Sequence, residues 1–207
     1  WVLATGSMVR WIVRAVRKSA KSVPVWKRIL EVTSVALGAV GLVAMAYAHW
    51  VEPYWPKVTR VSIISPLVKG DGLRIVHLSD LHSDPTVRLE EKIPQMVDEL
   101  DPDLVMFTGD GANSKEGLPV FRKCMRRISE NHPTYGVQGN WEAWWFADVD
   151  VFEDTGVTEL DGAGELVMVG ESPVWVAGAA VENETSMAAA MSDAPADAFA
   201  VFLHHFP

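Results

Sequence analysis

Side chains able to bind a metal ion follow four short apolar runs, each at the point where the run ends. In chain order they are Asp80 and His82, Asp110, Asn140, and His204 with His205. Carboxylate, amide and imidazole groups are accepted ligands of divalent metals, and imidazole beside carboxylate suits Mn, Fe or Zn better than an all-oxygen calcium site. The recurrence of these groups after successive apolar runs predicts a metal centre.

The spacing within these groups has a physical reason. Residues i and i+2 of an extended segment point to the same side, so Asp80 and His82 can hold one metal ion together. Gly109 lets the backbone turn so that the carboxylate of Asp110 can bridge two cations, and Asn140 likewise follows a glycine. The amide of Asn140 is a neutral ligand, which leaves a dinuclear site with net positive charge for a phosphate group.

Each group alone also has an ordinary structural explanation. An Asp-x-His pair is common, Gly-Asp after a strand is usually a turn, and an Asn after Gly is usually a turn or a helix cap. His204 and His205 stand close to a proline and fit a simple loop. The joint occurrence in this order, each after an apolar run, favours the metal centre.

Alternating strands and helices must position these residues. Strands are predicted over 58–64, 73–78, 104–107, 135–138, 166–169, 174–177 and 199–203. Helices are predicted over 88–100 and 118–130, with a third within 146–155. Nearly all-apolar strands alternating with helices indicate an α/β domain with a largely buried sheet. Functional residues of such domains gather at the carboxyl ends of the strands.

Charge is divided unevenly along the chain. The 207 residues carry 18 Lys and Arg against 27 Asp and Glu, a net charge of −9. Residues 1–31 hold seven of the bases and one acid, whereas 32–207 hold 11 bases and 26 acids. So acidic a main domain argues against nucleic-acid binding, because it repels phosphate backbones. The single cysteine, Cys124, excludes an intrachain disulfide and a zinc site built from several cysteines.

A stretch free of charged side chains, 32–50, follows the basic end of the chain. With the residues before it, this stretch predicts a transmembrane helix over 29–50, about the ~20 residues that cross a bilayer. Aromatic residues at its far end resemble an interfacial belt: Tyr47, Trp50, Tyr54 and Trp55. The basic near side predicts a single-pass protein of the cell (inner) membrane, with a cytosolic N-terminus and an extracytoplasmic domain. A buried core helix and a cleaved signal peptide are the alternatives.

Four segments follow from these features. Residues 1–28 are the predicted basic cytosolic segment, and 29–50 are the predicted transmembrane helix. Residues 51–57 contain two prolines and are predicted to be a short linker. Residues 58–207 are predicted to form the α/β domain.

The motifs of residues 58–207 resemble those of the calcineurin-like metallophosphoesterase family. The family's order is Asp-x-His, Gly-Asp, Gly-Asn-His-Asp/Glu, a histidine after an apolar strand, and Gly-His-x-His. The first four correspond here to IVHLSDLH, PDLVMFTGD, GNWE and FLHHFP. A membrane helix followed by EPYWPKVTRVSI is similar to the membrane-associated bacterial branch, which includes phosphodiesterases and pyrophosphatases that cleave UDP-diacylglucosamine.

The resemblance implies a sandwich of two mixed β-sheets flanked by helices, with two divalent metal ions, Mn, Fe or Zn. The ligands it implies are Asp80 and His82 for the first ion, Asp110 as a bridge, Asn140 for the second ion, and His205. The family's histidine precedes a proline by two positions, which favours His205 over His204. The reaction it implies is hydrolysis of a phosphodiester or pyrophosphate bond by a metal-bridging hydroxide.

Two departures from the family pattern bear on activity. Trp141 occupies the position of the family's catalytic histidine, which stabilises the transition state and protonates the leaving group. An indole donates a hydrogen bond but does not transfer a proton near neutral pH. A Gly-His-x-His motif does not occur up to Pro207, so we expect the natural protein to continue beyond that residue.

Two functions remain open on the sequence. The first is a membrane-anchored phosphoesterase with a phosphoester substrate. Its predicted location at the membrane favours a lipid-linked phosphate as that substrate. No nucleic acid is expected as a partner. The second is a non-catalytic, membrane-tethered binding module of the same fold, motivated by Trp141. Trp141, Trp144 and Trp145 form an apolar cluster that either accepts acyl chains or a base, or packs within a helix.

Overall fold

The computed structural model describes residues 24–181 and 184–206. The predicted cytosolic segment therefore lies largely outside the described residues, including its basic side chains from Arg10 to Lys21, as does Pro207. The chain divides into two compact units, Trp1–Pro53 and Tyr54–Pro207. The first unit contains the apolar helix, and the second contains the α/β domain.

The charge-free stretch lies within helix α1, Val25–Trp50, of 26 residues. At 1.5 Å per residue it extends about 39 Å, more than the ~30 Å hydrocarbon core of a bilayer. None of its residues is buried, and Leu37, Val40 and Val43 are 66–70% exposed. Among the described residues it is the one helix long and apolar enough to cross a membrane, by length and composition. Its exposure argues against a buried core helix, whereas a signal sequence meets the same criteria.

Two β-sheets form the framework of the second unit. The first contains four parallel strands in the spatial order β1–β2–β3–β4. They are β1 Ile75–Leu78, β2 Leu104–Phe107, β3 Thr134–Gly136 and β4 Thr158–Glu159. Because the strands are parallel, the loops that follow β1, β2 and β3 lie at the same edge of the sheet.

The second sheet contains three strands in the order β5–β6–β7. They are β5 Ala163–Val169, β6 Ser172–Gly178 and β7 Phe199–Leu203. β5 and β6 are antiparallel and form a hairpin, whereas β6 and β7 are parallel. The sheet is therefore mixed, and the two histidines of the sequence motif follow the carboxyl end of β7.

Four helices of the second unit are described. They are α2 Ile93–Leu100, α3 Leu118–Ser129, α4 Asn140–Trp145 and α5 Glu184–Ser192. A short 3₁₀ turn, Glu52–Tyr54, follows α1 in the predicted linker. The helix predicted over 118–130 is confirmed as α3, and the one predicted over 88–100 is present as α2 but begins only at Ile93.

Successive side chains of the buried strands point to opposite faces of the sheet, and this alternation gives a layered core. Val105 and Phe107 of β2 pack into a cluster with residues of α2 and α3, whereas Leu104 and Met106 pack with residues of β6 and β7. Trp175, on the outer face of the second sheet, packs with residues of α5. The layers are therefore helices, first sheet, second sheet and helix. Burying such side chains contributes about 1.5–3 kcal/mol each to folding.

The α/β class, the two sheets and six of the seven predicted strands are confirmed. The strand predicted over 58–64 is wrong, because these residues form no strand. Its apolar side chains Val61, Ile63 and Ile64 are 78–99% exposed. β-branched residues favour an extended backbone, but a strand also needs a neighbour that accepts and donates its backbone hydrogen bonds. No described strand pairs with this segment.

The third helix, predicted within 146–155, is also wrong. These residues form turns, and the helix lies just before them as α4. The Asp150 carboxylate accepts a hydrogen bond from the Phe152 backbone N–H at 3.0 Å, an Asx turn that competes with helix formation. The two-residue strand β4 and helix α5 were not predicted.

Cys124 lies on α3 and is 1% exposed. Burial, reinforced by the nearby carboxylate of Glu90, raises the pKa of the Cys124 thiol to about 12. The thiol of the unfolded chain ionises at a lower pH, near 9.0. The folded state thus retains a proton that the unfolded state loses, and stability falls as pH rises through this window by about 1.4 kcal/mol per pH unit.

We predict that raising the pH from about 8.5 to about 10.5 lowers the free energy of unfolding of both proteins. The decrease should be about 2 kcal/mol larger in the wild type than in Cys124→Ala. Denaturant unfolding of both proteins at the two pH values measures this difference. The comparison cancels the titration of lysines and tyrosines, which both proteins share. An equal pH dependence of the two proteins would show that the thiol does not resist ionisation.

Candidate metal centre

The loops after β1 and β2 remain paired beyond the ends of the strands. The backbone N–H groups of Asp80 and His82 donate hydrogen bonds to the carbonyls of Gly109 and Asp110, each at 3.0 Å. The Arg88 guanidinium donates to the carbonyl of His82 at 2.9 Å and holds the first loop from its other side. This pairing brings the first two predicted ligands next to Asp110.

Three side chains converge on the carboxylate of Asp110, which is 4% exposed. His82 Nε2 lies 3.5 Å from Asp110 Oδ2 and 3.7 Å from Asp80 Oδ1. His205 Nε2, from the segment after β7, lies 3.6 Å from the same Asp110 Oδ2. Ligand-type atoms of Asp80, His82 and Asp110 all lie within 4.8 Å of one another. Three of the sequence motifs therefore meet at one point.

The separations of these atoms fit a shared cation better than direct hydrogen bonds. At 3.5–3.7 Å the nitrogen–oxygen distances exceed the ~2.7–3.2 Å of a hydrogen bond. Two ligands that each lie about 2.0–2.2 Å from one metal ion are separated by roughly 3.0–3.6 Å. Carboxylate oxygens and neutral imidazole nitrogens are all electron-pair donors, so a cation between them satisfies all of them at once. The residues present therefore fit a divalent metal ion.

The ring of His205 is oriented for this role. Its Nδ1 lies 2.7 Å from the carbonyl oxygen of Thr108. A carbonyl only accepts hydrogen bonds, so Nδ1 carries a proton and Nε2 is the nitrogen that faces Asp110. His204, by contrast, has its Nδ1 3.0 Å from the carbonyl oxygen of Phe206 and is paired within its own loop. The geometry thus sets His205, rather than His204, beside Asp110.

Backbone strain is concentrated in these loops. Five non-glycine residues among those described have positive φ, and three of them are Asp80, His82 and Asp110, at 55°, 42° and 59°. A left-handed conformation costs roughly 1–2 kcal/mol for a residue with a Cβ. Such strain persists where the surrounding structure enforces it and is most frequent at functional sites. Three of the five strained positions are therefore predicted ligands.

Asp110 also connects the second loop to helix α4. Its Oδ1 accepts a hydrogen bond from the backbone N–H of Trp141, in the first turn of the helix, at 2.9 Å. A helix N-terminus usually receives this bond from the side chain of its own N-cap residue. The N-cap here is Gly139, and a Cβ on Gly139 would overlap Asp110 Oδ1. Asp110 therefore occupies the place of the missing capping side chain.

Glu142 completes this contact from the helix side. It is 1% exposed, and its Oε2 accepts hydrogen bonds from the backbone N–H groups of Asp110 at 2.8 Å and Gly139 at 2.9 Å. Its Oε1 accepts from Gly111 N–H at 2.7 Å. Glu142 is not among the site residues predicted from the sequence, although its place three residues after the N-cap is that of the acid in a capping box.

Asn140 is the first residue of α4 and is half-buried. Its neighbours Gly139 and Trp141 both contact the Asp110 loop, which puts Asn140 at the same edge of the sheet as the other predicted ligands. Its role as a metal ligand stays a prediction. His77, on β1, is not one of the predicted ligands, and its Nε2 lies 2.7 Å from Thr108 Oγ1 in a hydrogen bond.

One further acidic side chain contacts the loop that precedes Asn140. Glu159, on β4, accepts a hydrogen bond from Gln138 Nε2 at 2.6 Å. Burial raises the pKa of Glu159, opposed by this hydrogen bond and reinforced by the charges of nearby acids, which are Asp150, Asp161 and Glu142. Repulsion among these carboxylates therefore adds to the effect of burial on the pKa of Glu159.

A comparison with known protein families decides the family. The model of the calcineurin-like phosphoesterase family matches residues 73–202, a range that includes all the predicted ligands except His205 and spans both sheets. The chain belongs to the calcineurin-like phosphoesterase family.

Three relatives of this phosphoesterase illustrate the match. A transmembrane protein with metallophosphoesterase domain from Danio rerio is 35% identical over 102 residues, 46% of this chain and 23% of the relative. The UDP-2,3-diacylglucosamine pyrophosphatase LpxG of Chlamydia muridarum is 38% identical over 84 residues, 38% of this chain and 25% of the relative. The uncharacterized metallophosphoesterase YkuE of Bacillus subtilis is 37% identical over 82 residues, 36% of this chain and 29% of the relative. The matches thus cover 23–29% of these relatives.

Trp141 of the phosphoesterase domain lies directly against His82, one of the predicted metal ligands. Its ring meets that of His82 edge-on, with centroids 5.3 Å apart, and its Nε1 donates to the carbonyl of Asn113 at 3.3 Å. Trp141 also packs on the core formed with α2 and α3. Trp144 and Trp145 are each 62% exposed, so they do not serve as ordinary core packing.

Proposed function

We propose that this protein is a membrane-anchored hydrolase that cleaves phosphodiester or pyrophosphate bonds with two divalent metal ions. The observation that carries the proposal is the convergence of Asp80, His82 and His205 on the buried carboxylate of Asp110. Membership of the phosphoesterase family supports the reaction class.

In this proposal each ion has its own ligands and the two share one carboxylate. Asp80 and His82 would hold the first ion, Asp110 would be shared by the two ions, Asn140 would hold the second, and His205 would complete the ligand set. The oxygen and imidazole nitrogen donors favour Mn, Fe or Zn. When bound, such ions supply Lewis acidity toward the phosphoryl oxygens and lower the pKa of water that attacks phosphorus. The chain itself orients the ligands through the Thr108 carbonyl, the paired loops and the helix α4 contact.

Trp141 narrows the range of leaving groups in this proposal. The indole keeps its N–H in a bond to Asn113 and has no proton to transfer near neutral pH. Phosphate leaving groups, as in a pyrophosphate bond, need no such proton, whereas alkoxides do. We therefore favour phosphoanhydrides over simple alkyl diesters.

A lipid-linked substrate fits the surface beside the cluster. Trp144 and Trp145, both exposed, follow Asn140 in the same short helix and offer apolar area for acyl chains. LpxG, named as a UDP-2,3-diacylglucosamine pyrophosphatase, is one of the relatives. A membrane anchor would hold the domain close to such a substrate.

Asp110→Asn tests the metal-dependent reaction. The amide still accepts the Trp141 N–H bond, so the fold is retained, but the bridging negative charge is lost. We expect activity to fall by more than ~100-fold and the metal content to fall from two ions per protein. Hydrolysis of bis-p-nitrophenyl phosphate and of a UDP-linked diacyl lipid with Mn²⁺, together with elemental analysis of the full-length natural protein, measures both effects.

Asp148→Asn is the matched control, since that carboxylate is exposed and paired with Lys115 at 3.1 Å. Absence of activity with every metal tried, or full activity of Asp110→Asn, would refute the hydrolase. A deacylated UDP-sugar cleaved as efficiently as the diacyl lipid would refute the lipid preference alone.

Trp141→His tests the leaving-group argument. An imidazole beside His82 can protonate an alkoxide, so turnover of an alkyl phosphodiester should rise by about 10²-fold. Turnover of a pyrophosphate substrate should change little, because its leaving group is already stable. Trp144→His serves as the control, and comparable kcat values for the two substrate classes in wild-type protein would contradict the argument.

A second candidate function is a non-catalytic, membrane-tethered binding module. Trp141 favours it, because the tryptophan replaces the family's proton donor and fills space next to His82. Such a module would contain no stoichiometric metal. The elemental analysis described above separates the two candidates.

Helix α1 anchors the protein in the proposal, with the N-terminus in the cytosol and the phosphoesterase domain outside the inner membrane. The supporting observations are an exposed apolar helix of 26 residues and seven basic residues before residue 29. The interfacial aromatic residues at its far end, Trp50 and Trp55, are 69% and 72% exposed.

We predict that the protein resists carbonate extraction and that protease added to spheroplasts removes the domain but spares an N-terminal tag. Replacing the seven basic residues by glutamine should give mixed orientation, because the positive charges set topology. Release of the wild-type protein by carbonate would exclude the anchor. Protection of the domain in spheroplasts would reverse the proposed orientation.

A further inference from the structure

Glu142 is the most deeply buried acidic side chain of the described residues, and its surroundings are unusual for a carboxylate. No basic side chain among the described residues forms a salt bridge with it. Its two oxygens accept three backbone N–H groups instead, from Asp110, Gly111 and Gly139. Two of those donors belong to the loop after β2 and one to the loop after β3. Glu142 therefore joins two loops that the sheet alone leaves separate.

The contact is a capping box divided between distant parts of the chain. In an ordinary capping box the N-cap side chain accepts a bond from the helix, and the acid at the fourth position bonds back to the N-cap N–H. Here Gly139 supplies only the N–H, and Asp110, 31 residues from Trp141, supplies the accepting carboxylate. Glu142 bonds back to both Gly139 and Asp110. Asp110 thus binds the backbone of helix α4, which carries Glu142, and Glu142 binds the backbone of the loop that carries Asp110.

The bonds from Glu142 act where the backbone is strained. Asp110 has a φ of 59°, and the donors at Asp110 and Gly111 flank this strained residue on both sides. Hydrogen bonds that an ionised carboxylate accepts are stronger than those between neutral groups. They offset the cost of the left-handed conformation that turns Asp110 Oδ2 toward His82 and His205.

We propose that Glu142 is a positioning residue, which locks Asp110 and the start of α4 into one rigid unit so that Asp110 and Asn140 face the same metal ion. This inference rests on the proposed function for the role of those two ligands. Glu142 touches neither substrate nor metal in this role. It acts through the backbone of Asp110.

Glutamine and aspartate fail at this position for different reasons. Gln has one accepting oxygen, and its NH₂ group would meet either Gly111 N–H or the N–H groups of Asp110 and Gly139 as donor against donor. Asp keeps the charge but is one methylene shorter and does not reach all three donors. The two variants therefore separate the charge of Glu142 from its geometry.

The experiment combines amide hydrogen exchange of the metal-free protein with Mn²⁺ titration of the full-length natural protein. We expect Glu142→Gln to speed exchange at Asp110, Gly111 and Gly139 by at least tenfold, with β2 and β3 still protected. We expect its Mn²⁺ affinity to fall by about 10–100-fold, the range typical of residues that orient metal ligands. Glu142→Asp should lose comparable affinity although its charge is retained.

Glu90→Gln is the matched control. Glu90 is also buried, at 6% exposed, but one oxygen accepts a single backbone N–H, from Arg88 at 2.7 Å. Glutamine can keep that bond. Amide exchange at Asp110, Gly111 and Gly139 should therefore match the wild type, and so should the Mn²⁺ affinity. Both variants are compared at equal fractions folded, which removes any effect of global stability.

Several results would overturn the proposal. Wild-type Mn²⁺ affinity in Glu142→Gln would show a purely structural role, and full affinity in Glu142→Asp would show that charge acts rather than position. Unchanged exchange at the three amides would show that Glu142 does not hold the loops. A wild-type protein that binds no metal would refute the proposed function instead, and the exchange data would still decide whether Glu142 holds Asp110.

Discussion

The close approach of the loops after β2 and β3 is the contact on which the rest of the candidate site depends. Gly109 and Gly139 make it sterically feasible, because a Cβ on either residue would overlap the backbone or side chain of the other loop. Asp110 and Glu142 then satisfy the polar groups that the approach buries. Without this contact, Asp110 would have no reason to adopt its left-handed backbone, and the two histidines would have no carboxylate to meet.

The site is assembled at a cost to the stability of the fold. Strained residues, the buried carboxylate of Asp110 and the imidazoles of His82 and His205 converge at one point. Each left-handed residue costs about 1–2 kcal/mol, and converging acceptors add repulsion. The layered core of two sheets and their helices offsets these terms, and a bound cation would convert the repulsion into coordination. The arrangement that suits metal binding at the edge of the first sheet therefore lowers the stability of the metal-free fold.

Tryptophans give the site its particular character within the family. Trp141 packs on the core and its ring meets that of His82 edge-on, which limits how that imidazole can move. Trp144 and Trp145, one helical turn further on, leave large apolar surface in solvent beside the cluster. Under the proposed function, a tryptophan at this position and the apolar surface beside it favour substrates with good leaving groups and an apolar portion.

Much of this arrangement is local in sequence and was predicted from it. The apolar runs 104–107 and 199–203 are strands with those limits, and the first is buried along its whole length, as expected of a continuous apolar run in an α/β domain. The Asp-x-His, Gly-Asp and Gly-Asn motifs stand after strands, so their gathering at one edge follows from parallel pairing. The long apolar helix likewise depends only on residues next to one another.

Other features depend on partners far away in the chain, and these only the tertiary structure decided. Residues 58–64 have the pattern of a strand but no described neighbour to pair with, and pattern alone does not provide hydrogen-bond partners. Glu142 stands at a capping position, yet its partner Asp110 lies 32 residues earlier. The sequence determined which side chains could bind a metal ion and roughly where the strands that carry them lie. The tertiary structure decided which of them meet, because convergence depends on backbone contacts between loops that no local pattern encodes.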